Sequence, residues 1–516
     1  MAVSLETLSP HRVPRFSIGR GVQIAGVVII ALAALVVLDS PSRIVEVSPL
    51  LLIGLFFIVW CTRIATSYPL WLVFVLVLEE TLPYSNLIPA NPESRWWLRY
   101  PLLLALCVPA LPTLWRSQLV RKGGFRQFLY YFAWAGLTIL WSLTPVVSAG
   151  RLLPDILLFA ALLRVVDSIQ EPSDEVRVFK NFLLGCGVLL AMVAMTAFVF
   201  PAHVFREGED PPIGIYNWTI DQVGIMRFSG IFSAPNEIGG LALAAAGSAF
   251  CWLCLSNAGA WRRVAALCLV GAGLLFATMA DSRSTLGVTL VGIGSYVIWR
   301  YRARGVALVI AFAVIATIGV ALVGGTNNPY LGRDLTTLTG RTEAWQFETD
   351  KLWANPVLGY GFNAEGAIFD DRYFPLWDIF WNRGANTPLH NGYLSVAIGL
   401  GIPALLFWIF IFVRPWLVLF ARRDDEWNLK PVFFFVALPM LLLGVVETGV
   451  AEPRDPKGLL LFLCWMLAER QRLTMRKEPI PDAQPSSADR LLLLINNAAT
   501  LLLMATFVGF EVAKAT

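Results

Sequence analysis

The chain is short of charge. Only 15% of its 516 residues are Asp, Glu, Lys or Arg, while 57% are hydrophobic and the mean hydropathy is +0.65. A soluble domain with that balance would expose large apolar patches, so a soluble fold is excluded. Histidine is nearly absent, with three copies at His11, His203 and His390. Cysteine is sparse and odd in number: the seven copies all fall in apolar segments and suggest no disulfide framework. Cys251 and Cys254 form a CxxC, but inside an apolar run, and read as small helix-facing residues rather than a metal site. The net charge of +4 is what an excess of basic loops on one side of a membrane produces, and nothing in it points to nucleic acid.

What the chain has instead is long apolar runs separated by short polar or basic loops, the signature of a polytopic helical membrane protein. The runs are Val22–Leu38, Pro49–Thr62, Pro69–Leu82, Tyr100–Trp115, Gln127–Leu143, Leu152–Val166 and Phe179–Phe200. Ile238–Leu255, Val264–Ala280, Thr285–Trp299, Val306–Val323, Gly392–Val413, Pro431–Val446, Gly458–Ala468 and Leu491–Phe510 follow. We expect an all-α fold with about 14 transmembrane helices. Tryptophans near the expected helix ends, such as Trp96, Trp97, Trp141 and Trp261, suit interfacial belts. The first run lacks a small-residue cleavage site and is followed by further spans, so it reads as a span and not a leader.

Basic loops orient the chain. Arg12, Arg15 and Arg20 put the N-terminus on the cytoplasmic side. Counting spans alternately, the clusters at 116–126, 262–263, 300–304, 414–430 and 470–477 then fall on that side too. The organisation expected is N-terminal helices at 1–200, a first long outer loop at 201–237 and central helices at 238–323. A large outer loop at 324–389, C-terminal helices at 390–470, and a linker with a possible last helix at 471–516 complete it. Loops as long as these two are usually functional or disordered. The larger one is rich in Trp, Phe and Tyr, which bury surface. Within it "TGRTEAWQFETDKLWA" reads as a helix capped by Thr339, and "NPVLGYGF" as a turn using Gly359 and Gly361. "TPLHNGYL" reads as a helix start with Pro388 in its first turn.

Four polar clusters share the expected outer face: Arg227 with Asn236 and Glu237; Asp281, Arg283 and Ser284; Arg341; and His390 with Asn391. Asn236 and Glu237 read as capping the span from Ile238, and Arg227 as able to pair with Glu237. Arginine grips phosphate with two prongs and stays charged at any working pH. A neutral histidine takes a proton from a hydroxyl. Such a set suits an anionic, lipid-linked substrate. Glu447 and the following "TGVAEPRDPKG" are near enough to line the site. Asp370 and Asp371 sit beside Arg372 and read as a solvated charge run, so no metal site is expected.

The pieces "RFSGIFSAPNEIGG", "SRSTLG", "GRTEAW", "NPVLGYGF" and "HNGYLSVAIGLGIPALL", in that order, resemble the O-antigen ligase / O-antigen polymerase superfamily over about Arg227 to Arg414. The family's Arg-x-x-x-Leu element is inexact here: Gly287 stands where Leu is expected and Leu286 falls one place early. The resemblance implies a GT-C-like membrane glycosyltransferase of the cytoplasmic membrane, with its active site on the extracytoplasmic side. It implies an undecaprenyl-pyrophosphate-linked glycan donor, a glycan or lipid-linked acceptor, and no metal or other cofactor. It makes His390 and Arg341 catalytic, with Arg283 beside Arg341 on the pyrophosphate; we add Arg227 and Asn391 as substrate-binding. Polymerisation of lipid-linked repeat units is the favoured activity. Ligation to lipid A-core, protein or another acceptor is the close alternative. A lipid-linked glycan transporter is the alternative of another class, although no internal repeat is evident.

Overall fold

The computed structural model describes residues 63–65, 67–81, 103–198, 204–206, 218–220, 226–232, 235–257, 259–311, 341–368, 391–421, 429–447 and 453–475. The runs at 22–38, 49–62 and 491–510 lie outside the described residues, and the run at 306–323 is described only to Ala311.

The described chain is a helical bundle. Its helices are α1 (Pro69–Thr81), α2 (Leu103–Arg116), α3 (Gly123–Thr138), α4 (Pro145–Asp167) and α5 (Pro172–Phe198). After three short strands come α6 (Pro235–Leu255), α7 (Ala260–Met279), α8 (Arg283–Tyr301) and α9 (Arg341–Ala354). α10 (Gly392–Leu400), α11 (Ile402–Ala421), α12 (Lys430–Leu443) and α13 (Pro456–Met475) complete it. Among the described residues, five helices, α4, α5, α6, α7 and α11, are long and apolar enough to cross a membrane. The chain is thus a multi-pass helical membrane protein.

Helix α6 is the hub. Its "GGLALAAAGSA" stretch carries almost no side-chain bulk, so α5, α7, α8, α12 and α13 all pack against it. In the apolar stretch of α6, 78% of residues are buried, against 28% in α7, which places α7 at the edge of the bundle. A second knot is aromatic. The Phe128 ring stacks on Phe159 at 5.2 Å and meets Phe412, Phe462 and Trp465 at 5.2–5.8 Å, joining α3, α4, α11 and α13. One end of the bundle is closed by ions. Buried Glu469 accepts from Gly124 N, Arg414 and Arg472, while Arg414 also reaches Gln127 at 2.7 Å. Near it Arg470 clamps Glu175 and the Ile169 carbonyl.

Four observations correct the expected fold. The fold is not purely α: β1 (Val204–Arg206), β2 (Trp218–Ile220) and β3 (Met226–Phe228) form a small sheet in the order β1-β2-β3. β1 and β2 pair in parallel, β2 and β3 antiparallel, and buried Phe228 pins the sheet to the bundle against Phe276. α6 begins at Pro235, so Asn236 and Glu237 lie inside its first turn and do not cap it. The apolar run from Gly392 is two helices, not one. Gly401 (φ +88°) ends α10, and α11 starts afresh at Ile402. Likewise the helix mouth lies later than expected, because Asn391 is the cap residue and Pro388 precedes the helix.

Candidate functional site

The site lies at the end of the bundle opposite Glu469. Arg227 stands at the middle of β3, facing Thr219 across the strand pair. Its Nε donates to the Ala280 carbonyl at 2.9 Å and its Nη2 to Asn236 Oδ1 at 2.6 Å. One guanidinium therefore ties the sheet to the end of α7 and the start of α6. Asn236 serves as the acceptor for this arginine, a role its position beside a helix start did not suggest.

The next residue after Ala280 is Asp281, held at φ +52° in the tight link between α7 and α8. Its carboxylate takes Arg283 in a fork of 2.8 and 3.5 Å. The Asp281 side chain is 8% exposed and that of Arg283 35%, so the carboxylate orients the guanidinium at the surface of the bundle end. Ser282, beside it, hydrogen-bonds Thr285 at 3.0 Å. The first two sequence clusters are thus one unit.

Asn391 reaches the same end of the bundle. Its Oδ1 caps α10 by accepting from Tyr393 N and Leu394 N at 3.0 and 3.1 Å. The oxygen is spent on the helix. Gly392 N donates to the Gly444 and Glu447 carbonyls, seating α10 on the end of α12. His390, immediately before this cap, lies outside the described residues.

Arg341 is the first residue of α9. α9 and α10 pack side by side and run the same way. Leu352 joins Ala397 and Ile398 in a small apolar cluster, and beyond it Pro356 O accepts from Ile402 N at 2.8 Å. Their carboxyl ends coincide, so their amino ends, carrying Arg341 and following His390, point in one direction. The loop between them is held by the expected glycine turn, with Gly359 at φ +67° and Gly361 at φ +109°. Tyr360 and Gly361 donate to the Ile398 and Gly399 carbonyls.

The start of α13, which the sequence reading brought to the site by proximity alone, makes specific contacts. Lys457 lies across Gly240 of α6 and pairs with Asp455 at 3.2 Å. The Glu447 and Glu237 carboxylates are within its electrostatic reach. Arg454 grips buried Asp155 of α4 in a fork of 2.7 and 3.1 Å. The signal was the dense charge run "EPRDPKG" between two apolar spans, legible only as proximity without the fold. α6, α8, α10 and α13 all present their amino ends here, and each such end carries about half a positive charge. The rim thus combines these helix ends with Arg227, Arg283, Arg454 and Lys457 and with the carboxylates of Asp155, Glu237, Asp281, Glu447 and Asp455.

Residues 266–409, from α7 to α11, match the O-antigen ligase family. The chain is also similar to the exopolysaccharide production protein ExoQ of Rhizobium meliloti (strain 1021). The two are 24% identical over 366 residues, covering 66% of this chain and 77% of that protein. This multi-pass helical chain is thus similar to the O-antigen ligase family over its central segment, and to an exopolysaccharide production protein over about two thirds of its length.

Proposed function

We propose that the chain polymerises a surface polysaccharide. It would transfer a growing glycan from undecaprenyl pyrophosphate onto the nonreducing end of another lipid-linked repeat unit. The work would be done without a metal, on the extracytoplasmic side of the cytoplasmic membrane. The observation that carries this reading is the convergence of helix amino ends around Arg227 and the Arg283–Asp281 fork, which suits a pyrophosphate leaving group. The similarity to an exopolysaccharide production protein supports a role in making a surface polysaccharide.

In this mechanism His390 takes the proton from the acceptor hydroxyl. The freed oxygen attacks the anomeric carbon, and the bond to the pyrophosphate oxygen breaks. Arg341, at the amino end of α9, and Arg283 neutralise the charge that appears on the departing undecaprenyl pyrophosphate. Arg227 shapes the cradle from behind, and the Asn391 amide contacts the sugar. A second reading is ligation to lipid A-core, protein or another terminal acceptor, supported by the O-antigen ligase match over residues 266–409.

The test is reconstitution in nanodiscs with an undecaprenyl-pyrophosphate-linked repeat unit as the sole glycan. A ladder of chain lengths supports polymerisation. A single product, formed only when a terminal acceptor is added, would replace it with ligation.

A further inference from the structure

Glu348 is a carboxyl in an unusual place. It sits on α9 one turn before Leu352, on the side that packs against α10. It is 1% exposed, and both of its oxygens are covered without a hydrogen-bond partner among the described residues. Facing it is Glu365, 8% exposed, from the short helical turn Glu365–Ile368. Glu365 Oε1 accepts from Ser395 Oγ of α10 at 2.7 Å. Three elements therefore meet through two buried carboxyls.

We propose that Glu348 is a positioning residue: its buried carboxyl, set against Glu365 at the α9–α10 junction, fastens α9 to α10 and so fixes Arg341 relative to the start of α10. The proposal rests on the roles assigned above to Arg341 and His390. Arg341 opens α9 two turns before Glu348, and His390 precedes α10 by two residues. Any slip between the two helices moves one group against the other, and small misplacements of reacting groups are costly.

Two carboxylates covered together do not both ionise without a large penalty. Burial first, and then the charge of Glu365, push the Glu348 carboxyl up to about 8. Among the described residues, neighbouring polar groups make their contacts elsewhere. On α9 the Lys351 ammonium lies over the Phe347 ring and Asp350 is exposed. The Tyr360 hydroxyl donates to the Lys351 carbonyl, and the Tyr393 hydroxyl to the Leu441 carbonyl. Arg151 of α4 reaches the Asn363 carbonyl at 3.4 Å. At neutral pH Glu348 is therefore mostly neutral and lies against Glu365 without adding a second negative charge. Because its value is raised in the folded protein, its contribution is complete below the ordinary carboxyl range. That contribution is lost as pH rises through about 8, where two negative charges face each other and α9 loosens.

The experiment is the pH profile of glycan transfer by the wild-type protein and by Glu348→Gln, which is neutral at every pH. Between pH 7 and pH 9 the neutral fraction of a group titrating at about 8 falls about tenfold, and wild-type transfer falls with it. Glu348→Gln is expected to lose less than about twofold over the same range. An unchanged alkaline fall in Glu348→Gln, or no fall in the wild type, overturns the proposal. If Glu348→Gln does not fold, Glu365→Gln must shift or abolish the same alkaline limb, and a limb that stays in place overturns it. Hydrogen exchange of residues 341–354, corrected for intrinsic rate, gives a readout independent of catalysis. Protection must drop across pH 8 in the wild type and in His390→Ala, but not in Glu348→Gln. A fully active His390→Ala with that exchange pattern intact removes the catalytic reading alone, whereas a pattern independent of pH removes the fastening.

Discussion

Gly401→Ala tests how the start of α10 is held at the site. Gly401 adopts φ +88° and ψ +160°, a region that is open essentially to glycine alone. Forcing alanine into it costs about 1–3 kcal/mol. The new Cβ would also overlap the Val357 carbonyl, a backbone atom that cannot swing aside. Moving that segment breaks the neighbouring bond from Ile402 N to Pro356 O, 2.8 Å in length, worth about 1 kcal/mol. The sum, about 2–4 kcal/mol, corresponds to a roughly 30- to 700-fold shift from the docked to the undocked turn. Hydrogen exchange in nanodiscs reads it directly: amides in 355–361 and 397–402 lose protection, and transfer falls with them. Unchanged exchange together with unchanged transfer would refute the claim that this break requires glycine.

Other substitutions separate close packing from open surface. Gly271 lies mid-way along α7 with nothing near its would-be Cβ, so Gly271→Ala leaves thermal stability in detergent equal or raises it by up to about 1 kcal/mol. Glu469→Ala leaves Arg414 and Arg472 buried without their carboxylate and costs about 3–5 kcal/mol, read as a sharp loss of folded yield or melting temperature. Arg341→Lys keeps the charge but loses the fork. It is expected to slow transfer, and a fully active lysine variant would show that charge alone suffices.

Much of the fold was legible where composition and helical structure coincide. The runs Ile238–Leu255 and Val264–Ala280 fall within α6 and α7, because continuous apolar residues ended by tight polar links leave few alternatives. The break at Gly401 was hidden because apolar residues continue on both sides of it, and only backbone conformation marks the corner. The strands escaped notice because three residues each are too few to show alternation. At the site, grouping Arg227 with Asp281 and Arg283 was sound. Asn236, read as a helix cap, proved to accept a hydrogen bond from Arg227, because the helix starts earlier than the apolar run. Lys457 and the Arg454–Asp155 fork depend on contacts across 217 and 299 residues of sequence, from Gly240 and Asp155 respectively, which local patterns do not reveal.

The central claim is that the rim of helix amino ends holds a lipid-linked pyrophosphate while His390 activates an acceptor. Its most direct test is glycan transfer from an undecaprenyl-pyrophosphate-linked repeat unit by purified wild-type protein and by His390→Ala in the same nanodiscs. The account predicts that the variant inserts and binds donor as the wild type does but makes no longer glycan. Full transfer by His390→Ala would contradict it.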